Sequence, residues 1–134
     1  LTFKLKSNTM KLKITALLLA LSFAAFPAFS QEAKWIEMEN FHTIMSVSFH
    51  PAEENDLKPV RKNSAELVAK AKAWQSAVVP AGFNGEVTKP ILDKLVKQCE
   101  LIHAKAARKT DAQLKVMITE AHDIFHEIKE KCRK

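Results

Sequence analysis

The closing stretch of the chain, EAHDIFHEIKEKCRK, contains side chains that could bind a metal ion. His122 and His126 are four residues apart, and on a helix this spacing lets two imidazoles share one ion. At about 100° per residue, His122 lies at the edge of the predicted inward face and His126 lies further round. A solvent-exposed histidine pair is therefore the competing interpretation. Cys132, near the end of the same stretch, adds a thiol.

A second group of candidate ligands lies in the first predicted helix. His42 interrupts an apolar stripe that also contains Met38 and Met45. A buried imidazole needs a hydrogen-bond partner for each ring nitrogen, or a metal ion on one of them. A core histidine bonded to a neighbouring helix and a metal ligand are both consistent with this position. Three aromatic residues flank the two groups: Phe41, Phe49 and Phe125.

Four amphipathic helices must position these side chains. Apolar residues recur every three or four positions over four segments, approximately residues 34–50, 57–77, 88–108 and 110–132. The first helix is expected to end before Pro51, which disfavours a helical conformation for the preceding residue. The inward face of the second is expected to extend to Val78, and Thr110 or Asp111 is expected to cap the fourth. The connections are short, which favours an all-α, antiparallel up-down-up-down four-helix bundle.

The bundle topology predicts which candidate ligands lie at the same level, that is, at the same height along the bundle axis. The first and last helices run in opposite directions, which places Met38 level with His126 and His42 level with His122, within about one turn. The candidate ligands then converge on one end of the bundle. This convergence strengthens the functional interpretation beyond what each residue supports alone.

The same reasoning separates the two cysteines. It places Cys99 opposite Thr119 and away from Cys132, beyond the separation of about 7 Å between Cα atoms that a disulfide allows. We therefore expect two free thiols, or an intermolecular disulfide through Cys132 at an exposed end of the bundle. That disulfide would make the protein a homodimer.

The first thirty residues are predicted to lie outside this domain. A pair of lysines precedes the apolar run 14–25, and small residues follow it up to Ser30, as in a secretory signal peptide. The run is shorter than the roughly 20 residues of a membrane span. We expect residues 1–30 to be an extension and a signal peptide, and residues 31–134 to form one bundle domain. The mature protein would be periplasmic and would not associate with a membrane.

Charge and composition exclude several function classes. The formal net charge is +6, but four of the 21 basic residues and none of the 15 acidic residues lie in the predicted leader, which leaves +2 for the mature chain. That value is not typical of a nucleic-acid-binding protein. The sequence has no recognisable nucleophile motif, and its two glycines cannot form a glycine-rich phosphate loop. We therefore do not expect an enzyme.

The mature chain resembles the exported four-helix cytochromes, which include the soluble b-type cytochrome of bacterial periplasms and the cytochrome c prime group. In the segments EMENFHTIM and DIFHEIKEKC, Met38 and His126 stand where the b-type member has its two haem-iron ligands. The resemblance implies a non-covalent haem b for electron transfer or sensing, with a periplasmic redox partner.

The cytochrome c prime group nominates a different iron ligand. The segment ITEAHDIF matches its histidine, aspartate and phenylalanine as His122, Asp123 and Phe125. Ile118 and Ala121 stand where the haem-linking cysteines belong, so covalent haem is excluded. The resemblance therefore implies His126 or His122 from the last helix, paired with a ligand from the first.

Three functional hypotheses remain open from the sequence. The first is a haem-binding protein with axial ligands from Met38, His42, His122 and His126, and with ring contacts from Phe41, Phe49 and Phe125. The second is a copper or zinc storage or delivery module, whose ligands would be His42, His122 and His126 together with Met38, Met45 or Cys132. The third is a helical scaffold without a cofactor.

Overall fold

The computed structural model describes residues 33–134, which form four helices. They are α1 (Ile36–Glu53), α2 (Lys58–Ser76), α3 (Gly85–Lys105) and α4 (Asp111–Lys131). Each helix packs against the next, and α1 also packs against α4 to close the bundle. No strand occurs in this part of the chain, where one isolated bridge joins Phe83 and Arg133. The predicted all-α four-helix bundle is confirmed.

The predicted signal peptide lies outside the residues that the structure describes. Within residues 33–134, no helix is both long enough and apolar enough to cross a membrane.

Contacts between α1 and α4 show that these helices are antiparallel. His42 lies against Phe125, whereas Phe49, later in α1, lies against His122, earlier in α4. The pairing is shifted by about one turn from the predicted levels. His122 therefore lies nearer to the carboxyl end of α1 than expected.

Side-chain caps fix where the last two helices begin. The Asn84 side chain accepts hydrogen bonds from the first-turn backbone of α3, so this helix begins at Gly85, before the predicted start at Thr88. Thr110 caps α4 in a reciprocal pair with Gln113, which satisfies two backbone donors at the helix end. Of the two predicted caps, Thr110 is the one used.

The predicted end of α1 was wrong, because the helix continues through Pro51 to Glu53. A proline in the last turn removes only one backbone donor. The turn is closed beyond it: Asn55 has a positive φ of 64°, and the Asp56 backbone nitrogen donates to the Pro51 carbonyl over 2.9 Å. This hydrogen bond, together with that from Asn55 N to the Ala52 carbonyl, is the Schellman arrangement that ends many helices.

Aromatic rings fill the core near the start of α1. The Trp35 ring lies edge to face with Trp74 at 5.7 Å and tilted against Phe83 at 5.1 Å. Phe41 and Phe125 are 5.8 Å apart and both contact Trp74. All five side chains are at most 2% exposed, so this end of the bundle is closely packed. Val78, which was predicted to face inward, is 89% exposed because α2 ends at Ser76.

The connection between α2 and α3 holds both ends of the described chain. The Asn84 and Lys134 backbone nitrogens each donate over 2.8 Å, to the carbonyls of Cys132 and Gly82 respectively. Gly82 has a φ of +95°, and a Cβ on it would lie 2.6 Å from the Cβ of Ala33. The loop therefore binds the residues after α4 and packs closely against Ala33, just before α1.

The contacts of this loop bear on the predicted exposure of Cys132. Cys99 and Cys132 are both free, as predicted, but both are also fully buried. The expectation that Cys132 lies at an exposed end, available for an intermolecular disulfide, was wrong, because the α2–α3 connection covers that end of α4.

Candidate metal site between the first and last helices

The imidazoles of His122 and His126 converge on one point at the surface of α4. Their Nε2 atoms are 3.1 Å apart, and both side chains are partly buried. An ion bound about 2.0–2.1 Å from each nitrogen would subtend an angle of roughly 100° between them. That angle lies between a right angle and the tetrahedral value. The pair can therefore chelate one transition-metal ion with little rearrangement.

The surroundings favour a neutral, metal-competent His122. The carboxylate of Asp123 lies 3.9 Å from its Nδ1, which favours a proton on Nδ1 and a lone pair on Nε2. The 3.1 Å hydrogen bond between the two Nε2 atoms needs a proton on one of them, and metal binding displaces that proton. Burial and the neighbouring His126 together lower the pKa of His122 below its ordinary value. A neutral imidazole is the form that binds a metal ion.

Aromatic stacking holds the histidines at the seam between α1 and α4. The His122 ring stacks on Phe49 at 3.8 Å with an interplanar angle of 11°. The His42 ring stacks on Phe125 at 5.1 Å and 4°. Each of these imidazoles covers a buried phenylalanine, so apolar contact helps to set the orientation of each ring.

A lysine joins the same two helices at the far end of the seam. The Lys115 Nζ donates to the Glu53 carbonyl over 3.1 Å and to the Asn55 Oδ1 over 3.0 Å. The end of α1 is thereby attached to α4, which fixes Phe49 and Glu53 relative to His122.

The predicted burial of His42 was wrong. The side chain is exposed, whereas its neighbour Phe41 is fully buried. An exposed imidazole can be hydrated, so His42 does not need a metal ion or a protein partner to satisfy its nitrogens.

The other predicted ligands lie in the core. Met38, Met45 and Cys132 are at most 2% exposed, whereas His122 and His126 lie at the surface of the bundle. Within residues 33–134, no group of three or more histidine, cysteine or acidic side chains is arranged to hold a metal ion. The structure therefore brings together two of the predicted ligands, His122 and His126.

The phenylalanines that were predicted to contact haem contact protein side chains instead. Phe41 and Phe125 belong to the packed aromatic core with Trp74, and Phe49 lies under His122. Met38 is buried while His42 is exposed. A haem ring needs an apolar slot between helices, and these residues would have to separate to form one. The geometry therefore suits a small ion better than haem.

Sequence reasoning missed two polar residues beside the site. The His50 Nδ1 and the Glu53 Oε2 are 3.0 Å apart, and both residues influence the charge of His122: Glu53 raises its pKa and His50 lowers it. The predicted end of α1 before Pro51 left Glu53 outside the helix. Had the helix been extended by one turn, the three-residue spacing would have indicated this pair.

Comparison of the chain with protein family models, with curated proteins and with solved structures gives no match. The resemblance to four-helix cytochromes therefore stays a prediction based on short segments of sequence. A bundle fold by itself does not determine function, and the functional argument rests on the histidine site.

Proposed function

We propose that this protein binds a divalent transition-metal ion through the Nε2 atoms of His122 and His126, and that it stores or delivers that ion. The observation that supports this proposal is the separation of 3.1 Å between the two nitrogens, which suits two ligands of one ion. The stacking of His122 on Phe49, which holds the imidazole ring in place, favours the same role.

The small number of preformed ligands favours an exchangeable site. Structural zinc sites have four protein ligands and are closed. A site built on two histidines at the bundle surface leaves coordination positions for water or for a ligand from another molecule. An ion held in this way can be passed on, which suits storage or delivery.

Imidazole ligands narrow the choice of metal. They suit copper, zinc and nickel, and the general order of affinities places Cu²⁺ above the others. The predicted signal peptide would place this activity in the periplasm.

The test is a calorimetric titration of the purified protein with Cu²⁺ and then Zn²⁺, together with elemental analysis of the protein as isolated. We expect one ion per chain. Loss of an outer contact to a metal ligand costs roughly 10–100-fold in affinity, so removal of a ligand itself by His122→Ala or His126→Ala should cost at least about 100-fold.

His103→Ala is the matched control. His103 lies on α3, where its Nδ1 is 2.9 Å from the Ser64 hydroxyl, and this variant should bind copper as the wild type does. Wild-type affinity in both α4 variants would reject the proposal.

A parallel titration with haem tests the cytochrome hypothesis. A sharp Soret band at one haem per chain that disappears in His126→Ala or His122→Ala would replace the metal-ion proposal with the cytochrome. Binding of neither haem nor metal would favour the scaffold.

A further inference from the structure

His50 has a carboxylate hydrogen-bonded to one ring nitrogen, as histidines that bind a metal through the other nitrogen commonly have. Its Nδ1 lies 3.0 Å from the Glu53 carboxylate, which keeps the proton on Nδ1 and leaves a lone pair on Nε2. Histidine ligands of metals commonly donate their other ring N–H to a carboxylate in this way, which fixes the tautomer and makes the ligating nitrogen more basic. The Asp123 carboxylate lies 3.9 Å from the Nδ1 of His122, beyond hydrogen-bond distance, so His50 has the closer carboxylate contact of the two.

His50 also lies near His122, because both imidazoles contact the Phe49 ring. The Phe49 ring centroid is 3.8 Å from that of His122 and 5.8 Å from that of His50. The two imidazole centroids are therefore separated by at most about 9.6 Å, the sum of these distances. Two imidazoles on one tetrahedral ion have centroids about 5 Å apart.

The remaining distance can be covered by a rotamer change. The side chains of His50 and Glu53 are 65% and 52% exposed, so they can move without uncovering buried surface. Side chains change between staggered rotamers at small cost where packing does not restrain them. His50 can therefore approach the ion while Glu53 follows it on the next turn.

His42 is the competing third ligand, and its surroundings suit that role less well. Its ring lies parallel to Phe125, which is 1% exposed. A rotation of His42 toward the ion would remove the ring that covers this buried phenylalanine. The contact of His50 with Phe49 is tilted at 54°, and Phe49 stays covered by His122 when His50 moves.

We infer that His50 is a third protein ligand, which enters the coordination sphere when the ion binds, and that Glu53 is its positioning residue. The complete site would present three imidazole nitrogens to Cu²⁺ or Zn²⁺ and keep one position open. This inference rests on the proposed function, because His122 and His126 must first hold the ion.

The test is a Cu²⁺ titration combined with electron paramagnetic resonance to count the coordinated imidazole nitrogens. We expect three nitrogens in the wild type. His50→Ala should lower the copper affinity at least tenfold and reduce the count to two, while His42→Ala should change neither. Glu53→Gln should lower the affinity roughly tenfold, and Glu53→Asp, which keeps the carboxylate, should restore most of it.

Two results would overturn the inference. One is wild-type copper affinity and an unchanged nitrogen count in His50→Ala; the other is loss of a nitrogen in His42→Ala instead. In both cases His122→Ala and His126→Ala would still lower the copper affinity at least about 100-fold, so the proposed function would stand. Copper binding that survives these last two substitutions would reject the proposed function itself.

Discussion

Replacement of Gly82 by alanine should destabilise the protein by roughly 2–4 kcal/mol. Gly82 has a φ of +95°, and an added Cβ would lie 2.6 Å from the Cβ of Ala33. The left-handed backbone conformation costs an L residue about 1–2 kcal/mol. The close approach adds a further cost, because the loop or the start of the described chain must shift. That shift would also strain the hydrogen bond from the Lys134 nitrogen to the Gly82 carbonyl.

Thermal and urea unfolding, followed by far-ultraviolet circular dichroism, measure this loss. For a domain of about 100 residues, each kcal/mol lowers the unfolding temperature by roughly 4–8 °C. We therefore expect a decrease of at least about 8 °C in Gly82→Ala.

Gly85→Ala is the matched control for this prediction. Gly85 is the first residue of α3, and a Cβ there would meet Val79 at 3.5 Å, an ordinary contact distance. Alanine is favoured over glycine in a helix by up to about 1 kcal/mol, so Gly85→Ala should be neutral or slightly stabilising. Unchanged stability in Gly82→Ala, or an equal loss in both variants, would refute the reasoning about the loop.

Three further predictions concern the site and the core. Because the pKa of His122 is lowered from 6.5 by burial and by His126, the unfolded chain binds its proton more readily. The free energy of unfolding should therefore decrease as the pH falls below 6.5 toward the folded-state pKa; unfolding at a series of pH values should show this slope, and His122→Phe should reduce it. Cys99 and Cys132 are buried, and burial raises the pKa of Cys99 to about 12, so a thiol reagent should detect two thiols per chain only after unfolding. Phe125→Ala should cost about 3–5 kcal/mol in urea unfolding, and an unchanged midpoint would contradict the packed aromatic core.

The bundle was predictable because several local signals agree. Apolar residues at helical spacing mark all four helices, and the capping residue Thr110 marks the start of α4. Each of these signals acts within about one turn of the chain. Such signals do not depend on how the helices finally pack.

The error at His42 shows what periodicity does not decide. The stripe through Met38, His42 and Met45 and the stripe through Met38, Phe41 and Met45 have the same three- and four-residue spacing. Phe41 buries more apolar surface than an imidazole and leaves no polar nitrogen to satisfy. The helix therefore turns Phe41 inward and leaves His42 at the edge.

The shift of about one turn between the predicted and observed levels has a different cause. The antiparallel topology fixes the order in which residues of α1 and α4 lie opposite each other along the bundle axis. A shift of one turn depends on where α1 ends and on where its end is bound to α4. The turn beyond Pro51 and the hydrogen bonds of Lys115 determine that attachment. The Lys115 hydrogen bonds join residues that are far apart in sequence. The turn lies beyond Pro51, where the helix was predicted to have ended already. Because of this shift, His122 stacks on Phe49 and feels the charge of Glu53, whereas the predicted levels placed it opposite His42.

The paired indoles of the core give the protein an intrinsic fluorescence signal close to the proposed site. The chain contains two tryptophans and no tyrosine; both indole Nε1 atoms are buried, and neither has a hydrogen-bond partner within residues 33–134. Their emission should therefore be that of indoles in apolar surroundings. Trp74 is 6.0 Å from Phe125, and Phe125 is 5.5 Å from the His126 ring. A paramagnetic Cu²⁺ ion on His126 would lie close enough to quench that emission, so the unlabelled protein can serve as its own optical sensor of occupancy.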